Sequence, residues 1–453
     1  MPTVSRWRRV TGVVTAYLPT RRLAAAVALL APLWLLSGWR MGFVVAAAAS
    51  VALLVLVTLD IALLPAARDL EVEREMAPSL GVGDESEGRY RIRSHWGRRL
   101  LLTLYDDLPA AHLVASRPTS VVVLAPRGVV ELPFTLEGRT RGETSLGDVA
   151  LRAQTPFGLV ARTLRYPRAD RVVVAPSLAG VRRFRWLAVH QRLAAAGVRD
   201  ARRRGEGHSF ARLRDYMPGD DPRHIDWKAT ARRGRPITRE FTIEQSQTVY
   251  VMVDAGRSMT QLAGEFPRFE YALSAALVLA DVATSAGDRV GTMVFDDEVR
   301  ALVPAQRGGA ALQAMRSALV PVQPSMAEPD YASAFRVLAQ RQRKRALIVL
   351  ITDVLEQRAA RALLAHLTRG ASRHLAVVVA LRNEALLAAT ALSPASGVES
   401  VYESAAAAEL LAERATALQR MRDAGVVVLD VAPDAMAAAV VSEYLELKAR
   451  GAL

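Results

Sequence analysis

The spacing of apolar residues divides the chain into four parts, of which the first is the most apolar. Residues 23–39 form a stretch of 17 residues without a charge, and residues 41–59 form a second one of 19 residues. A helix that spans a bilayer needs about 20 mostly apolar residues. The pattern therefore predicts a tight hairpin of two transmembrane helices, over about 23–39 and 41–62, within the segment 1–67.

Arginines are distributed unevenly around this hairpin, with five before it and one, Arg40, at its tip. Because positively charged flanks tend to stay in the cytoplasm, we expect a cytoplasmic N-terminus. Two spans return the chain to its starting side, so the bulk of the chain is expected in the cytoplasm. The sequence thus predicts a multi-pass protein of the cell inner membrane. Asp60, at the inner boundary, is expected to be solvated, as most interfacial acids are.

Between residues 68 and 180, short apolar runs alternate with polar residues at a spacing typical of strands. Clear examples are residues 100–104, 121–124, 129–134 and 172–174. Interposed Gly and Pro residues mark turns, so this part predicts an all-β, sandwich-like module. We interpret residues 156–159 as a structural turn in which Phe157 is buried.

The last part, residues 246–453, contains continuous apolar strands that alternate with helical segments. Such strands are buried on both faces, which predicts a mostly parallel sheet between two layers of helices, the doubly wound α/β arrangement. The predicted strands cover residues 248–253, 289–295, 299–303, 345–352, 374–381 and 426–431. Asp254 and Asp353 each follow a strand directly, at the edge of the sheet where such folds bind ligands.

The composition excludes several classes of protein and of site. A hydrophobic content of 51% and a mean hydropathy of +0.15 exclude a mostly disordered chain. The absence of cysteine excludes disulfides, zinc–thiolate sites, iron–sulfur clusters and cysteine nucleophiles. None of the lysines lies in a phosphate-binding Gly-x-x-x-x-Gly-Lys-Ser/Thr loop, so any ATP chemistry has to come from a partner chain.

Positive charge is concentrated in one part of the chain. The net charge is +14, and residues 181–240 contain 16 basic and 7 acidic residues, a net of +9. Two interpretations stay open: a solvated basic face, and a docking surface for an acidic partner or anionic lipid. The residues proposed for docking are Arg202, Arg203 and Arg204. We expect no nucleic-acid binding, because this stretch lacks a regular series of stacking aromatics.

Two stretches together resemble one bacterial family. The first reads Gly-His-Ser-Phe-Ala-Arg-Leu-Arg-Asp-Tyr at 207–216 and Gly-Asp-Asp-Pro-Arg-His-Ile-Asp-Trp-Lys at 219–228, and the second reads Val-Asp-Ala-Gly-Arg-Ser-Met at 253–259. The combination is similar to the domain of unknown function 58 family, whose members join a membrane hairpin and a β module to a von Willebrand factor A-like domain. The signature residues, within the segment 181–245, are Arg214, Tyr216, Gly219, Asp220, Asp221, Arg223, Asp226, Trp227 and Arg232.

The resemblance implies a role in binding. The family is associated with MoxR-type AAA+ ATPases, as membrane-side partners in the assembly or maturation of other proteins. We therefore expect a membrane-anchored adaptor for client proteins that the sequence does not identify. A non-enzymatic role is favoured.

The resemblance also implies a cation site. The von Willebrand factor A-like fold can hold Mg²⁺ in an adhesion-type site of the form Asp-x-Ser-x-Ser, with a distant Thr and a distant Asp. Asp254, Ser258 and Asp353 match the first Asp, the second Ser and the distant Asp. Gly256 replaces the first Ser, and Pro-Asp at 329–330 stands where the Thr belongs, so two hydroxyl ligands of a hard cation are missing. We expect a degenerate site that binds Mg²⁺ weakly.

The acidic residues of the signature allow two interpretations. Asp220, Asp221, His224 and Asp226 have a spacing that could build the site of a metal-dependent hydrolase or a phosphoryl-transfer enzyme. They could equally form an Asp-Pro turn and a helix cap, with their charges paired to arginines and with Trp227 as a core anchor. The expected arginine partners are Arg214, Arg223 and Arg232. We favour the second interpretation.

Overall fold

The computed structural model describes residues 14–35, 38–116, 119–177, 204–217, 221–242, 247–353, 361–367, 374–391 and 398–451. For residues 14–15, 204–212, 240–242 and 398 it describes the backbone alone. The chain separates into two units, residues 1–177 and 178–453. The apolar N-terminal helices and the β module thus share one unit, and the signature segment and the α/β domain share the other.

Unit 1 begins with a strand and two helices and continues as an all-β module. The strand is β1 (Val14–Pro19), and the helices are α1 (Arg21–Leu35) and α2 (Arg40–Ala62). The following strands are β2 (Leu70–Glu75), β3 (Ser79–Gly81), β4 (Glu85–Ser94), β5 (Leu100–Asp106), β6 (Leu113–Ala115), β7 (Thr119–Leu124), β8 (Val129–Gly138), β9 (Gly142–Leu146), β10 (Val149–Gln154), β11 (Val160–Tyr166) and β12 (Asp170–Ala175).

Helix α2 is the one candidate for a membrane span among the residues that the structure describes. Its 23 residues are long and apolar enough to cross a bilayer, by length and composition. The described part of α1 has 15 residues, fewer than the roughly 20 that a span needs. The two helices touch, because Trp34 Nε1 donates a hydrogen bond to Ser50 Oγ at 3.2 Å and its ring meets Phe43 edge-on.

The β module consists of a five-stranded sheet, a four-stranded sheet and a small three-stranded sheet. Their strand orders are β1-β11-β10-β5-β7, β2-β4-β8-β6 and β3-β12-β9. Leucines of β5 and aliphatic and aromatic residues of β2 and β4 belong to one buried cluster, so the two larger sheets share a core. Buried and more exposed residues alternate along strands β5 and β4. This alternation explains why apolar and polar residues alternate in the sequence of this module.

Unit 2 starts with a β-hairpin and a short helix and continues as an α/β domain. The first elements are β13 (Arg204–Asp215), α3 (Trp227–Arg233) and β14 (Ile237–Thr242). The α/β domain has strands β15 (Thr248–Asp254), β16 (Leu262–Ala263), β17 (Phe266–Pro267), β18 (Arg289–Phe295), β19 (Val299–Arg307), β20 (Leu347–Thr352), β21 (Leu375–Leu381) and β22 (Val427–Val431). Its helices are α4 (Arg268–Ser285), α5 (Gly308–Leu319), α6 (Tyr331–Arg341), α7 (Glu384–Thr390), α8 (Val398–Asp423) and α9 (Met436–Arg450). Residues 361–367 are also helical.

The large sheet of unit 2 has the order β19-β18-β15-β20-β21-β22. Its inner pairs are parallel, and β19 runs antiparallel at one edge. One core contains α4, α5 and α9 on one face, and a second core contains α6 and α8 on the other. The six strands begin and end close to where the apolar runs predicted, except that β19 extends to Arg307. Because the chain continues from β15 to β18 on one side and later to β20 on the other, the carboxyl ends of β15 and β20 form the switch point of the sheet.

Candidate functional site

Asp254 lies at the carboxyl end of β15 and is fully buried. Its Oδ2 accepts hydrogen bonds from Thr352 Oγ1 at 2.6 Å and from the Tyr331 hydroxyl at 3.3 Å. Its Oδ1 accepts one from the backbone N–H of Gly256 at 2.7 Å. Burial raises the pKa of Asp254 to about 6, against the lowering effect of these hydrogen bonds. Both carboxylate oxygens thus already have protein partners.

Gly256 has no room for the serine of an adhesion-type site. A Cβ at this position would lie 2.9 Å from the carbonyl oxygen of Ala327 and 3.0 Å from Cδ of Pro329. The segment 325–330 is held there by hydrogen bonds from Arg257 N to Ala327 O at 2.9 Å and from Ser325 N to Ala255 O at 2.7 Å. Segment 325–330, where an adhesion-type site has its distant Thr, therefore packs against the carboxyl end of β15.

Asp353 follows β20 and forms a buried ion pair with Arg268, the first residue of α4. The side chains of Arg268 and Asp353 are only 3% and 0% exposed. Burial raises the pKa of Asp353 to about 6, while the guanidinium groups of Arg268 and Arg414 act to lower it. The positive charge beside Asp353 is thus an arginine of the same chain.

Arg414 of α8 extends this charged row along the sheet edge. Its Nη1 and Nη2 each donate to a carboxylate oxygen of Asp430 at 3.0 Å, and Nη2 also donates to Leu381 O at 3.0 Å. Two arginines and two aspartates from α4, α8 and the ends of β20 and β22 therefore neutralise each other.

These residues do not fit an adhesion-type Mg²⁺ site. Asp254 is engaged by hydroxyl and amide donors, Asp353 by a guanidinium, and Gly256 offers no hydroxyl. Ser258 is half-buried in a 3-10 turn, Arg257–Thr260, and Asp330 is exposed and caps α6 through Ser333 N at 3.0 Å. In the described part of the chain, no three His, Cys, Asp or Glu side chains are grouped to hold a metal ion.

The raised pKa of Asp254 predicts how stability depends on pH. The folded pKa is about 6 and the ordinary value is 3.8, so the folded state retains a proton that the unfolded state has lost. The stability that this group contributes is full below about pH 4 and is lost as the pH rises through about 6. Asp254→Asn keeps an acceptor for Gly256 N–H and removes the ionisation.

The variant should therefore unfold with a free energy about 3 kcal/mol higher than the parent's at about pH 8, and equal near pH 4. Thermal melting of both proteins across this range measures the difference directly. Asp353 remains ionisable in both proteins, and its charge is among the causes that raise the pKa of Asp254, so the difference between the two proteins reports the ionisation of Asp254 in that environment. A difference in stability between the parent and Asp254→Asn that stays constant from about pH 4 to about pH 8 would contradict the raised pKa of Asp254.

The signature segment forms a turn and a capped helix fastened to β14. Asp221 Oδ1 accepts from Arg223 N at 2.9 Å, and Asp226 Oδ1 accepts from Ala229 N at 3.0 Å, as the N-cap of α3. Arg239 Nε lies 3.8 Å from Asp226 Oδ2, and Arg239 is not among the three arginines named from the sequence.

The remaining signature residues contribute in different ways. Tyr216 N donates to Pro236 O at 3.0 Å, and Arg214 Nη1 donates to Asp215 O at 3.1 Å. His224 is half-buried at the end of a 3-10 turn. Gly219, Asp220, Arg202 and Arg203 lie outside the described residues, as does the side chain of Arg204. Of the four residues that the enzyme interpretation needs, Asp221, His224 and Asp226 are described and do not group as metal ligands, and Asp220 lies outside the described residues.

The expectation that Trp227 is a core anchor is wrong. Trp227 is the first residue of α3 and its side chain is 71% exposed. The helix packs through its other side, where Thr230 Oγ1 accepts a hydrogen bond from Ile237 N at 3.0 Å. Trp227 was expected to be buried because it belongs to the family signature. Its burial depends instead on which face of α3 packs against β14.

In unit 1, Asp60 joins α2 to the β module, and its predicted solvation is also wrong. It is fully buried. Its Oδ2 accepts hydrogen bonds from the backbone N–H groups of Leu159 and Val160, both at 2.8 Å, and its Oδ1 accepts one from the Thr155 hydroxyl. The carboxylate thus holds the turn before β11 against the end of α2.

The same turn also holds the start of α1. Thr20 Oγ1 donates to Gly158 O at 2.6 Å, and Arg22 Nη1 donates to Pro156 O and Phe157 O at 3.1 and 3.0 Å. Phe157, predicted to be buried, is 54% exposed. The turn 155–160 is therefore the junction between both helices and the β module, and its aromatic ring projects into solvent.

Comparison with known proteins identifies a family domain in unit 2. Residues 212–422 match the family model described as "Protein of unknown function DUF58". The uncharacterized protein Rv1480 of Mycobacterium tuberculosis H37Rv is 28% identical over 153 residues, which cover 33% of this chain and 48% of that protein. The uncharacterized protein YeaD of Bacillus subtilis 168 is 30% identical over 125 residues, 27% of this chain and 30% of that protein. The chain thus matches less than half the length of these relatives.

Similarity to solved structures is low. The CARDB domain of the PF1109 protein from Pyrococcus furiosus, solved in complex with di-metal ions, is 15% identical and has a TM-score of 0.16. The match covers 23% of this chain and 87% of that domain. The C-terminal domain of wzt gives 11% identity and a TM-score of 0.18, over 24% of this chain and 75% of that one. Scores this low carry no functional argument.

Proposed function

We propose that the protein is a membrane-anchored adaptor that binds partner proteins and acts with a MoxR-type AAA+ ATPase in the assembly or maturation of clients. The observation that carries the proposal is the state of Asp254 and Asp353. Both carboxylates are buried. Both oxygens of Asp254 and Oδ2 of Asp353 are held by groups of the same chain, whereas Oδ1 of Asp353 has no hydrogen-bond partner among the described residues. A metal-dependent or acid–base enzyme needs such groups to converge on an open cleft with ligand positions free, which favours binding over catalysis.

The α/β domain is, in this proposal, of the von Willebrand factor A type. In support, its parallel sheet has one antiparallel strand at its edge, helices cover both faces, and the first central strand ends in Asp254. The closed segment 325–330 then replaces the cation with direct protein contacts, so partners are bound without a bridging metal.

The pairing of β1 supports the proposal of two membrane spans, on the condition that α2 crosses the bilayer. Strand β1 precedes α1, and it pairs with β11, which follows α2, from Val14↔Arg165 to Pro19↔Val160. Two strands of one sheet lie on the same side of a membrane, so the chain that leads into α1 and the chain that leaves α2 share that side. Helix α1 then belongs to the second span. The arginine distribution favours the cytoplasm for the shared side.

Single-cysteine labelling tests this topology, because the chain has no cysteine of its own. Gly38→Cys marks the tip between the helices, where a Cβ meets no atom within 4 Å. Arg68→Cys marks the other side, where the parent side chain is 90% exposed. In intact cells a membrane-impermeant maleimide should label the variant at position 38 alone, and permeabilisation should expose both. Labelling of both positions, or only of position 68, in intact cells would contradict the proposed topology.

Reconstitution tests the adaptor role. The full chain, purified in detergent, is mixed with a purified MoxR-type AAA+ ATPase from the same organism and separated by size exclusion. We expect a complex and a changed rate of ATP hydrolysis. The enzyme alternative predicts instead no complex, together with metal-dependent hydrolysis of a phosphate ester that Asp221→Asn and Asp226→Asn abolish. That combination of results would replace the adaptor proposal.

A further inference from the structure

One side of helix α3 exposes an indole and two cations. Trp227, Lys228 and Arg232 are all exposed. At about 100° per residue they lie within one side of the helix, because positions i, i+1 and i+5 span roughly 140°. These three residues form the indole–cation face. Folding of unit 2 leaves this large apolar ring in water, which is unusual for tryptophan.

The helix that carries this face is fixed in place despite its length of seven residues. Asp226 caps its start, and Gly234 ends it in the left-handed conformation, at φ 65°. The backbone N–H of Asp226 donates to Ile237 O at 2.8 Å, and Ile237 N donates to Thr230 Oγ1. The face is therefore held in position before any partner arrives, which lowers the entropic cost of binding.

The charge around the face is positive and uncompensated within the part of the chain that the structure describes. Lys228 and Arg232, and with them Arg223 and Arg233, form no ion pair there. Two described carboxylates beside the helix are engaged, Asp221 with a backbone N–H and Asp226 with the helix cap and Arg239. An indole beside unpaired cations is complementary to a segment in which apolar side chains alternate with carboxylates.

We propose that the indole–cation face is a docking surface for an acidic segment of a partner protein. Trp227 packs against apolar side chains of that segment, and Lys228 and Arg232 meet its carboxylates. Tryptophan is among the residues most enriched at the centres of interfaces, where burial of its ring excludes water from neighbouring charge pairs. The inference rests on the proposed binding role of the protein, but not on an AAA+ ATPase being the partner.

A protein partner fits this face better than a lipid bilayer does. Helices that lie on membranes have an extended apolar side along several turns, and polybasic lipid-binding clusters contain about 4–8 Lys or Arg residues. Helix α3 has two turns, and its exposed side carries one large apolar residue. Its size matches a single anchoring contact within a larger protein interface.

The test uses the full chain in detergent micelles and a fluorescein-labelled peptide in which glutamates alternate with leucine and phenylalanine. A peptide with glutamine in place of glutamate is the neutral probe. Variants Trp227→Ala and Lys228→Glu/Arg232→Glu alter the face. Tyr402→Ala and Arg420→Glu/Arg422→Glu are matched controls, since Tyr402 is also exposed and the two arginines are exposed on α8. Thermal melting confirms that each variant is folded.

We expect the glutamate peptide to bind more tightly than the glutamine peptide, and its affinity to fall as salt rises from ~50 to ~300 mM. Trp227→Ala should weaken binding at least ~30-fold. The double charge reversal should abolish the preference for glutamate, and both controls should bind as the parent does. Equal losses in the controls, no effect of Trp227→Ala, or no binding of the glutamate peptide would each overturn the proposal.

Two further measurements separate this inference from its alternatives. If the face variants lose binding to phosphatidylglycerol vesicles while peptide binding is unchanged, the surface is a lipid contact and the proposal is wrong. If the complex with the AAA+ ATPase persists in both face variants and these variants bind the glutamate peptide normally, the docking surface is refuted and the adaptor role stands. If the parent protein itself forms no complex with the AAA+ ATPase, the result counts against the adaptor role.

Discussion

Replacing Arg268 by methionine is expected to lower the free energy of unfolding of unit 2 by about 3–5 kcal/mol. The substitution leaves Asp353 buried without the guanidinium it contacts, and a buried charge that loses its partner is costly. For a unit of this size the expected fall in melting temperature is roughly 6–20 °C. The measurement is thermal unfolding of the full chain in detergent at neutral pH.

Two comparisons make this result specific. Arg257→Ala removes an ion pair with Glu328 whose side chains are 51% and 63% exposed, and should cost less than about 1 kcal/mol. Arg268→Met combined with Asp353→Leu removes both charges and should recover most of the lost stability. An Arg268→Met protein that melts like Arg257→Ala would show that the buried pair contributes nothing.

Asp60→Ala should destabilise unit 1 by at least about 3 kcal/mol. The substitution removes the acceptor for two buried backbone N–H groups and for the hydroxyl of Thr155. Asp60→Asn should have a smaller effect, because its amide oxygen can still accept from the two N–H groups while its NH₂ donates to the hydroxyl. Thermal unfolding in detergent and proteolysis of the turn 155–160 report the loss.

Thr58→Ala is the matched control for this prediction. Thr58 also lies near the end of α2, but it is exposed and its hydroxyl donates to Val55 O within the same helix. We expect a change of less than about 0.5 kcal/mol. If Asp60→Ala and Thr58→Ala melt alike, the Asp60 contact does not hold the helices to the β module.

Much of the fold was predictable because it follows from local pattern. Strands buried on both faces leave uninterrupted apolar runs, and β15, β18 and β20 to β22 lie where those runs are. Asp254 and Asp353 could be placed at the sheet edge for the same reason, since each directly follows a run. The lack of a side-chain hydroxyl at position 256 was also readable from the sequence, and the structure adds that a Cβ there would lie 2.9 Å from Ala327 O.

What sequence could not predict depends on contacts between distant residues. Arg268 lies 85 residues before its partner Asp353, and nothing in its neighbourhood distinguishes it from the other arginines of the chain. Asp60 meets partners 95 to 100 residues away, so the pattern around it suggested only a boundary residue. The exposure of Trp227 is likewise set by which side of α3 packs on β14, and an aromatic residue in a signature gave no information about that side.

The proposal that partners are bound without a bridging metal depends on the carboxyl edge of the sheet binding no cation of its own. Calorimetric titration of Mg²⁺ into the full chain in detergent tests this most directly. The result predicted is no stoichiometric binding, with the same weak heats in the parent and in Asp254→Ala. A tight site that binds one Mg²⁺ per chain and is lost in Asp254→Ala would contradict the account.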